Sequence, residues 1–199
     1  IDLLQVHWPC EAGTALEASL DTLERLRDSG KIRFYGLCNY GAAGVREGAR
    51  RPGMVSLQTP YSLLRREFEA DLRTACIDVK PVGVLAYEPL CRGLLTGKFR
   101  DTPTFPDTDL RAWDERFQGA RFEHARALVA DLSRVAEKIG LPVSAVALGW
   151  VINQPGITAA IAGAKTPKQV AENAQAARLI GRPKVLNVID RIASMHGGM

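Results

Sequence analysis

Apolar positions along the chain follow two alternating patterns. Short continuous apolar runs suit strands buried on both faces. Between them lie longer segments in which apolar residues recur every three or four positions, as on a helix packed along one side. Residues 1–7, 32–37, 54–60, 82–87 and 158–162 read as five strands, and Gly36 at the exit of the second fits a strand that ends at a ligand. Residues 14–29 read as a helix with Leu16, Leu20, Leu23 and Leu26 on one face. Thr14 and Glu17 there offer a capping box, and Gly30 a left-handed stop. A helix over residues 42–50 is weakly coded because it holds two glycines. Residues 68–79 form a third helix with Phe68, Leu72, Ala75 and Cys76 aligned.

The stretch 92–119 carries Pro103, Pro106 and many polar residues and predicts a long irregular loop, a feature that is usually functional or disordered. Two helices, 122–139 and 144–153, precede the fifth strand. Thr166-Pro167 then opens a helix whose cap Gln169 completes, and Val185, Val188, Ile189 and Ile192 mark a final amphipathic helix. Strict strand–helix alternation argues an α/β fold with a parallel sheet and helices outside it. Periodicity leaves an open sheet and a closed barrel both available. No Gly-x-Gly-x-x-Gly turn follows any strand, which speaks against a Rossmann-type site.

Composition narrows the function classes. With 199 residues, 46% of them apolar and 24% charged, the chain is long enough for a sizeable core in one domain spanning 1–199. The net charge of +4 is modest, and the adjacent arginine pairs Arg50-Arg51 and Arg65-Arg66 are not interleaved with aromatics, so no nucleic-acid partner is expected. Cys10, Cys38, Cys76 and Cys91 include no Cys-x-x-Cys pair, and the histidines are scattered, so no zinc pattern forms. Reduced thiols and a cytoplasmic location are the expectation. No 18-residue apolar run and no basic-then-apolar leader occur, so neither a membrane span nor a signal peptide is expected.

Candidate chemistry sits where apolar strands stop: His7, Cys38-Asn39, Gln58 and Tyr87. Each has a plainer structural reading, as a satisfied histidine, a cap, a loop-bonding amide and a core aromatic. A second cluster runs from Gly163 to Asn173, where a strand turns into a helix. Backbone N–H groups at such a turn bind anions, and Lys165 adds charge ahead of it. On residue type alone, Lys98 and Arg111 read as solvated surface charge.

The run Ile1-Asp2-Leu3-Leu4-Gln5-Val6-His7-Trp8-Pro9 resembles the aldo-keto reductase family when taken with three later segments. These are Gly36-Leu37-Cys38-Asn39-Tyr40, Leu85-Ala86-Tyr87-Glu88-Pro89-Leu90 and Gly163-Ala164-Lys165-Thr166-Pro167. The likeness covers nearly the whole chain and is nearer to the bacterial and potassium-channel β-subunit-like branch than to the sugar and steroid reductases. It implies the (β/α)8 TIM-barrel fold, here an incomplete barrel of about five parallel strands, the fourth to the eighth, with outer helices. It also implies NADPH-dependent reduction of aldehyde or ketone carbonyls, with NADP(H) and a small carbonyl compound as ligands. On the same resemblance His7 is catalytic, hydrogen-bonding the substrate carbonyl. Asn39 and Gln58 hold the nicotinamide carboxamide, with Cys38 where many members have serine, and Tyr87 stacks on the ring. Leu90, Gly93 and Lys98 lie against the pyrophosphate, and Arg111 is a second basic position. Gly163 and Lys165 hold the 2′-phosphate, while Gln169, Glu172 and Asn173 contact the adenine end.

The resemblance further implies an aspartate, a general-acid tyrosine and a lysine ahead of the His7 strand. Tyr35, Tyr40 and Tyr61 lie at other family positions, so the chain is expected to be truncated and open to self-association through exposed edges at 1–7 and 158–162. A non-catalytic NADPH-binding regulatory module and an inactive fragment are the alternatives. Glu88 stands where serine is common and would repel a phosphate unless Lys98 or Arg92 compensates. Cys10 replaces an acid often found after His-Trp-Pro.

Overall fold

The computed structural model describes residues 1–196. Strands β1 (Leu3–Val6), β2 (Phe34–Cys38), β3 (Met54–Pro60), β4 (Gly83–Tyr87) and β5 (Ile157–Ile161) form one sheet in that spatial order. The pairs β1–β2, β2–β3 and β3–β4 are parallel, with Val6 opposite Leu37, Cys38 opposite Gln58 and Pro60 opposite Tyr87. The expected alternation holds: α1 (Leu16–Asp28), α2 (Ala42–Ala49) and α3 (Asp71–Asp78) connect the first four strands, and α4 (Gly119–Ile139) and α5 (Val143–Ile152) precede the fifth. Helices α6 (Pro167–Ala174) and α7 (Pro183–Met195) follow. β1 and β5 are the end strands of the sheet. Their residues are mostly half-buried or exposed, whereas four of the five β2 residues are buried.

Contacts gather the chain into two compact units. The first comprises Ile1–Tyr61, Arg65–Tyr87 and Pro155–Ala159. Its core is built on Leu37, Leu57, Val84 and Ala86 from the sheet, with Leu20 of α1 and Val45 of α2, all fully buried. The second comprises Ser62–Leu64, Glu88–Gln154 and the chain from Ala160 onward. In it α5 is buried on every side, from Ser144 through Val151, as a helix that is apolar all round apart from Ser144 requires. α5 packs against α4, α6 and α7, and the Trp150 indole N–H donates to Asp190 at 2.9 Å.

Several boundaries differ from the sequence pattern for physical reasons. The Thr14–Glu17 capping box does not form. α1 starts at Leu16 after Ala15, with no side-chain cap, and the Thr14 hydroxyl instead faces the Cys10 thiol and lowers its pKa. The helix expected over 68–79 is broken at Ala70 (ψ −131°). A 3₁₀ turn at Glu67–Glu69 precedes the break, held by Glu69 accepting from Tyr61 Oη at 2.6 Å and from Arg66 at 2.7 and 2.9 Å. The stretch 92–119 is not wholly irregular: it contains 3₁₀ turns at Leu110–Trp113 and Glu115–Phe117, and α4 already begins at Gly119. The helix over 166–173 caps as expected, the Gln169 N–H donating to Thr166 Oγ1 at 3.2 Å.

Gly36 lies inside β2, not at its exit as a ligand-facing end would require. A Cβ there would stand 2.1 Å from Ser56 Oγ and 2.6 Å from the Ser56 carbonyl oxygen. The strands therefore approach closely at the register shift between Tyr35 and Gly36. Overpacking at a backbone contact has no soft neighbour to absorb it, so Gly36→Ala is expected to destabilise the chain by about 1–3 kcal/mol. Urea unfolding checks this, and an unchanged midpoint would contradict the close approach.

Candidate active site

Parallel pairing brings the C-terminal ends of β1 to β4 to the same side of the sheet, and the polar residues of the first unit collect there. Asn39 adopts a left-handed conformation (φ 64°), which asparagine tolerates better than most residues. Its backbone N–H donates to the Gln58 carbonyl at 3.0 Å, and its side-chain nitrogen donates to the His7 carbonyl at 3.0 Å. Its side-chain oxygen accepts from Tyr87 Oη at 2.7 Å. One residue, through its backbone N–H and its side-chain amide, thus links β2 to β1, β3 and β4. His7 is exposed, with its ring 5.7 Å from that of Trp8. Cys38 is buried, burial pushes its thiol pKa up, and its sulfur accepts from the Asn39 amide at 3.2 Å.

The second unit contains a cavity of about 1030 Å³ built from two stretches of chain, residues 88–111 and 161–173, with Ser144 between them in sequence. Leu90, Gly93, Lys98, Arg111, Gly163, Lys165, Gln169, Glu172 and Asn173 all line it. Lys98 has a lowered pKa, first because it is partly buried and then because Arg111 and Lys165 repel its charge; Asp109 offsets part of this. Three cations therefore share one cavity, an arrangement that anion binding relieves. The Lys98 ammonium lies 4.7 Å from the centre of the Phe99 ring. It also sits where a Cβ on Gly93 (φ 94°) would come within 2.9 Å of it. At the start of α6, the Lys165 N–H donates to Gln169 Oε1 at 2.6 Å, so the glutamine side chain shapes the turn that faces the cavity.

Glu88 lies in the same wall, but its charge is answered. Its carboxylate accepts from Arg92 Nε at 2.7 Å and from Arg116 Nη2 at 3.1 Å. Arg92 compensates as the sequence suggested; Lys98 is not its partner in these bonds. Burial alone would raise the Glu88 pKa, but the two arginines outweigh it and hold the group below the ordinary carboxylate range; Asp114 behaves likewise beside Arg116 and Arg92.

Sequence reasoning missed Asp109, Asp114 and Arg116. A signal for them exists: Asp-x-Arg occurs twice in quick succession, at Asp109–Arg111 and Asp114–Arg116. In both, the aspartate accepts the arginine's backbone N–H, at 2.9 and 3.1 Å, and also pairs with its guanidinium. Arg111 is therefore not plain solvated charge. Asp109 fixes one edge of it, and its guanidinium carbon lies 4.3 Å over the Phe105 ring.

A model described as the aldo/keto reductase family matches residues 1–194. Aldo-keto reductase YhdN of Bacillus subtilis (strain 168) is 36% identical over 171 residues, covering 85% of this chain and 51% of its own length. Aldo-keto reductase yakc [NADP(+)] of Schizosaccharomyces pombe is 29% identical, covering 87% of this chain and 51% of its own. The solved structure of the glycerol dehydrogenase AKR11B4 from Gluconobacter oxydans superposes with a TM-score of 0.87 at 33% identity, covering all of this chain and 61% of that one. The chain spans about half the length of the curated relatives named here.

The depressed carboxyl pKa values of Glu88 and Asp114 give a sign for acid stability. Such groups stabilise the folded state fully above the unfolded carboxylate value, about 4, and lose that contribution as pH falls through their lowered folded values. The melting temperature is expected to fall on acidification below about pH 4 partly through these two groups. Glu88→Gln is expected to melt lower at neutral pH and to lose less on acidification than the parent chain. Parallel acid limbs in melts from pH 7 to 3 would contradict the assignment.

Proposed function

This chain belongs to the aldo/keto reductase family, and from that premise we propose that its second unit holds the phosphate-bearing adenosine end of NADP(H). We propose with it that the protein to which these residues belong is an oxidoreductase acting on aldehyde or ketone carbonyls. The observation that carries the reading is the sharing of one cavity by Lys98, Arg111 and Lys165 beside the N-terminal turn of α6. A dinucleotide with a 2′-phosphate brings anionic groups of the kind such a set accommodates, and a helix N-terminus adds favourable N–H groups and dipole. The relative whose printed name specifies NADP(+) supports the same choice of cofactor.

In this reading Lys165 and the turn closed by Gln169 take the 2′-phosphate, and Glu172 and Asn173 contact the adenine. Gly93 lets the backbone approach the pyrophosphate, while Lys98 and Arg111 neutralise it. In the first unit, Asn39 and Gln58 offer carboxamide groups that both donate and accept, which suits recognition of a nicotinamide carboxamide. Tyr87, whose hydroxyl is tied to Asn39, presents an aromatic face suited to stacking on a flat ring. The bound cofactor supplies the hydride. His7, exposed at the end of β1 with its backbone carbonyl held by Asn39, hydrogen-bonds the carbonyl oxygen as negative charge develops on it. Of the catalytic positions implied by the resemblance, His7 is the one assigned within these 199 residues.

A thermal melt with and without nucleotide tests this. A ligand that binds only the folded state at a hundredfold its dissociation constant stabilises by about 2.7 kcal/mol. NADPH is expected to raise the melting temperature more than NADH. Lys165→Ala is expected to abolish most of that difference at low ionic strength, where exposed charges act most strongly. Equal shifts with both nucleotides in the parent chain would remove the 2′-phosphate assignment, and no shift with either would remove the cofactor site. A regulatory, non-catalytic role predicts the NADPH shift without turnover of any carbonyl compound by the chain or by a longer protein containing it.

A further inference from the structure

The wall of the cavity that carries Glu88 and Gly93 is backbone of an uncommon kind. Glu88 (φ 50°), Cys91 (φ 46°) and Arg92 (φ 54°) all lie in the left-handed region, followed by Gly93 at φ 94°. Non-glycine residues stay there only where their surroundings over-determine them. A second part of the wall carries Asp109 and Arg111, with Asp109 capping the 3₁₀ turn at Leu110–Trp113. A four-member ion network links the two parts. Arg92 donates from Nε to Glu88 and from Nη1 to the Leu110 carbonyl at 3.2 Å, and that nitrogen is 3.5 Å from Asp114. Arg116 completes it, giving Nη2 to Glu88 at 3.1 Å and to Asp114 at 2.6 Å. Two acids and two bases balance, so the network adds no net charge to the cavity.

Glu88 and Arg92 line the cavity, whereas Asp114 and Arg116 stand behind it. The Arg116 side chain is largely buried, and its remaining terminal nitrogen, Nη1, is buried with no hydrogen-bond partner among the described residues. A guanidinium is expensive to hold in this way, and the bonds to Glu88 and Asp114 are what keep it there. We infer that Arg116 is a positioning residue for the cavity. By bridging Glu88 to Asp114 it locks the left-handed turn at Glu88–Gly93 to the turn that presents Arg111, and so sets the distance between Lys98 and Arg111. It also withdraws the Glu88 carboxylate from any anion that enters. This deepens the NADP(H) reading and rests on it for the identity of the ligand; the coupling of the two parts of the wall is a property of the chain alone.

Two readouts on Arg116→Met and Arg116→Lys test the inference. Lysine keeps the charge but lacks the planar fork that reaches both carboxylates. NADPH affinity of the folded chain, measured by fluorescence titration, is expected to fall about tenfold or more in the methionine variant, as when groups that hold a ligand are displaced. The lysine variant is expected to recover only part of that loss. Hydrogen exchange followed by mass spectrometry on the nucleotide-free variants is expected to speed up in both the Glu88–Gly93 and the Asp109–Arg111 segments while α5 is unchanged. A purely structural role would lower the melting temperature without altering the affinity of the folded fraction. Unchanged affinity, or faster exchange in one part only, overturns the inference. If Arg116→Met does not melt cooperatively, Arg116→Lys carries the same comparison. Failure of the parent chain to bind NADPH overturns the ligand assignment, and the exchange data then decide the coupling of the two parts by themselves.

Discussion

Parallel strand pairing is the constraint on which the rest depends. Strands paired in parallel must all end on the same side, so whatever residue stops each strand is carried to a common place. Here His7, Asn39 and Tyr87 stand at the ends of β1, β2 and β4, Gln58 lies two residues before the end of β3, and Asn39 bonds to all three of the others. The left-handed conformation of Asn39 makes this possible, because it turns the side chain back across the strand ends while the backbone N–H still reaches Gln58. A side chain without both a donor and an acceptor could not satisfy the His7 carbonyl and the Tyr87 hydroxyl together.

The second unit solves an electrostatic problem. Bringing Lys98, Arg111 and Lys165 into one cavity is unfavourable without an anion; the lowered pKa of Lys98 reflects first its burial and then this repulsion. The chain manages it with fixed carboxylates: Asp109 on Arg111, and Glu88 and Asp114 on Arg92 and Arg116. These acids hold cations in place while leaving Lys98 and Lys165 to face an incoming ligand. The same pairing explains how the Glu88 carboxylate is tolerated in the cavity wall. Among the described residues no single helix is long and apolar enough to cross a membrane, and α5, the most apolar, is buried within this unit.

Much of this was legible in the residues alone. The strand Met54–Pro60 and the Thr166–Gln169 cap follow directly from periodicity and local capping chemistry, because each depends on neighbours in sequence. The Thr14 cap failed for the converse reason: its hydroxyl turns to Cys10, which lies outside the helix pattern. Gly36 was noticed but misread, since its need for a missing side chain comes from Ser56 on the neighbouring strand. Lys98 and Arg111 were picked out as cofactor residues through resemblance, while their residue types alone suggested solvated charge; Lys165 already stood out as charge ahead of a helix N-terminus. The Asp114–Arg116 pair repeats a local Asp-x-Arg pattern, but the bond from Arg116 to Glu88, 28 residues away, has no local signature.

The central claim is that the cavity lined by Lys98, Arg111 and Lys165 receives the phosphates of NADP(H). Amide chemical-shift mapping of the isotope-labelled chain during titration with NADPH tests it most directly. The account predicts saturable shifts at Gly93, Lys98, Lys165, Thr166 and Gln169, with those around Lys165 much reduced when NADH replaces NADPH. Shifts confined to other surfaces, or the same pattern with both nucleotides, would contradict it.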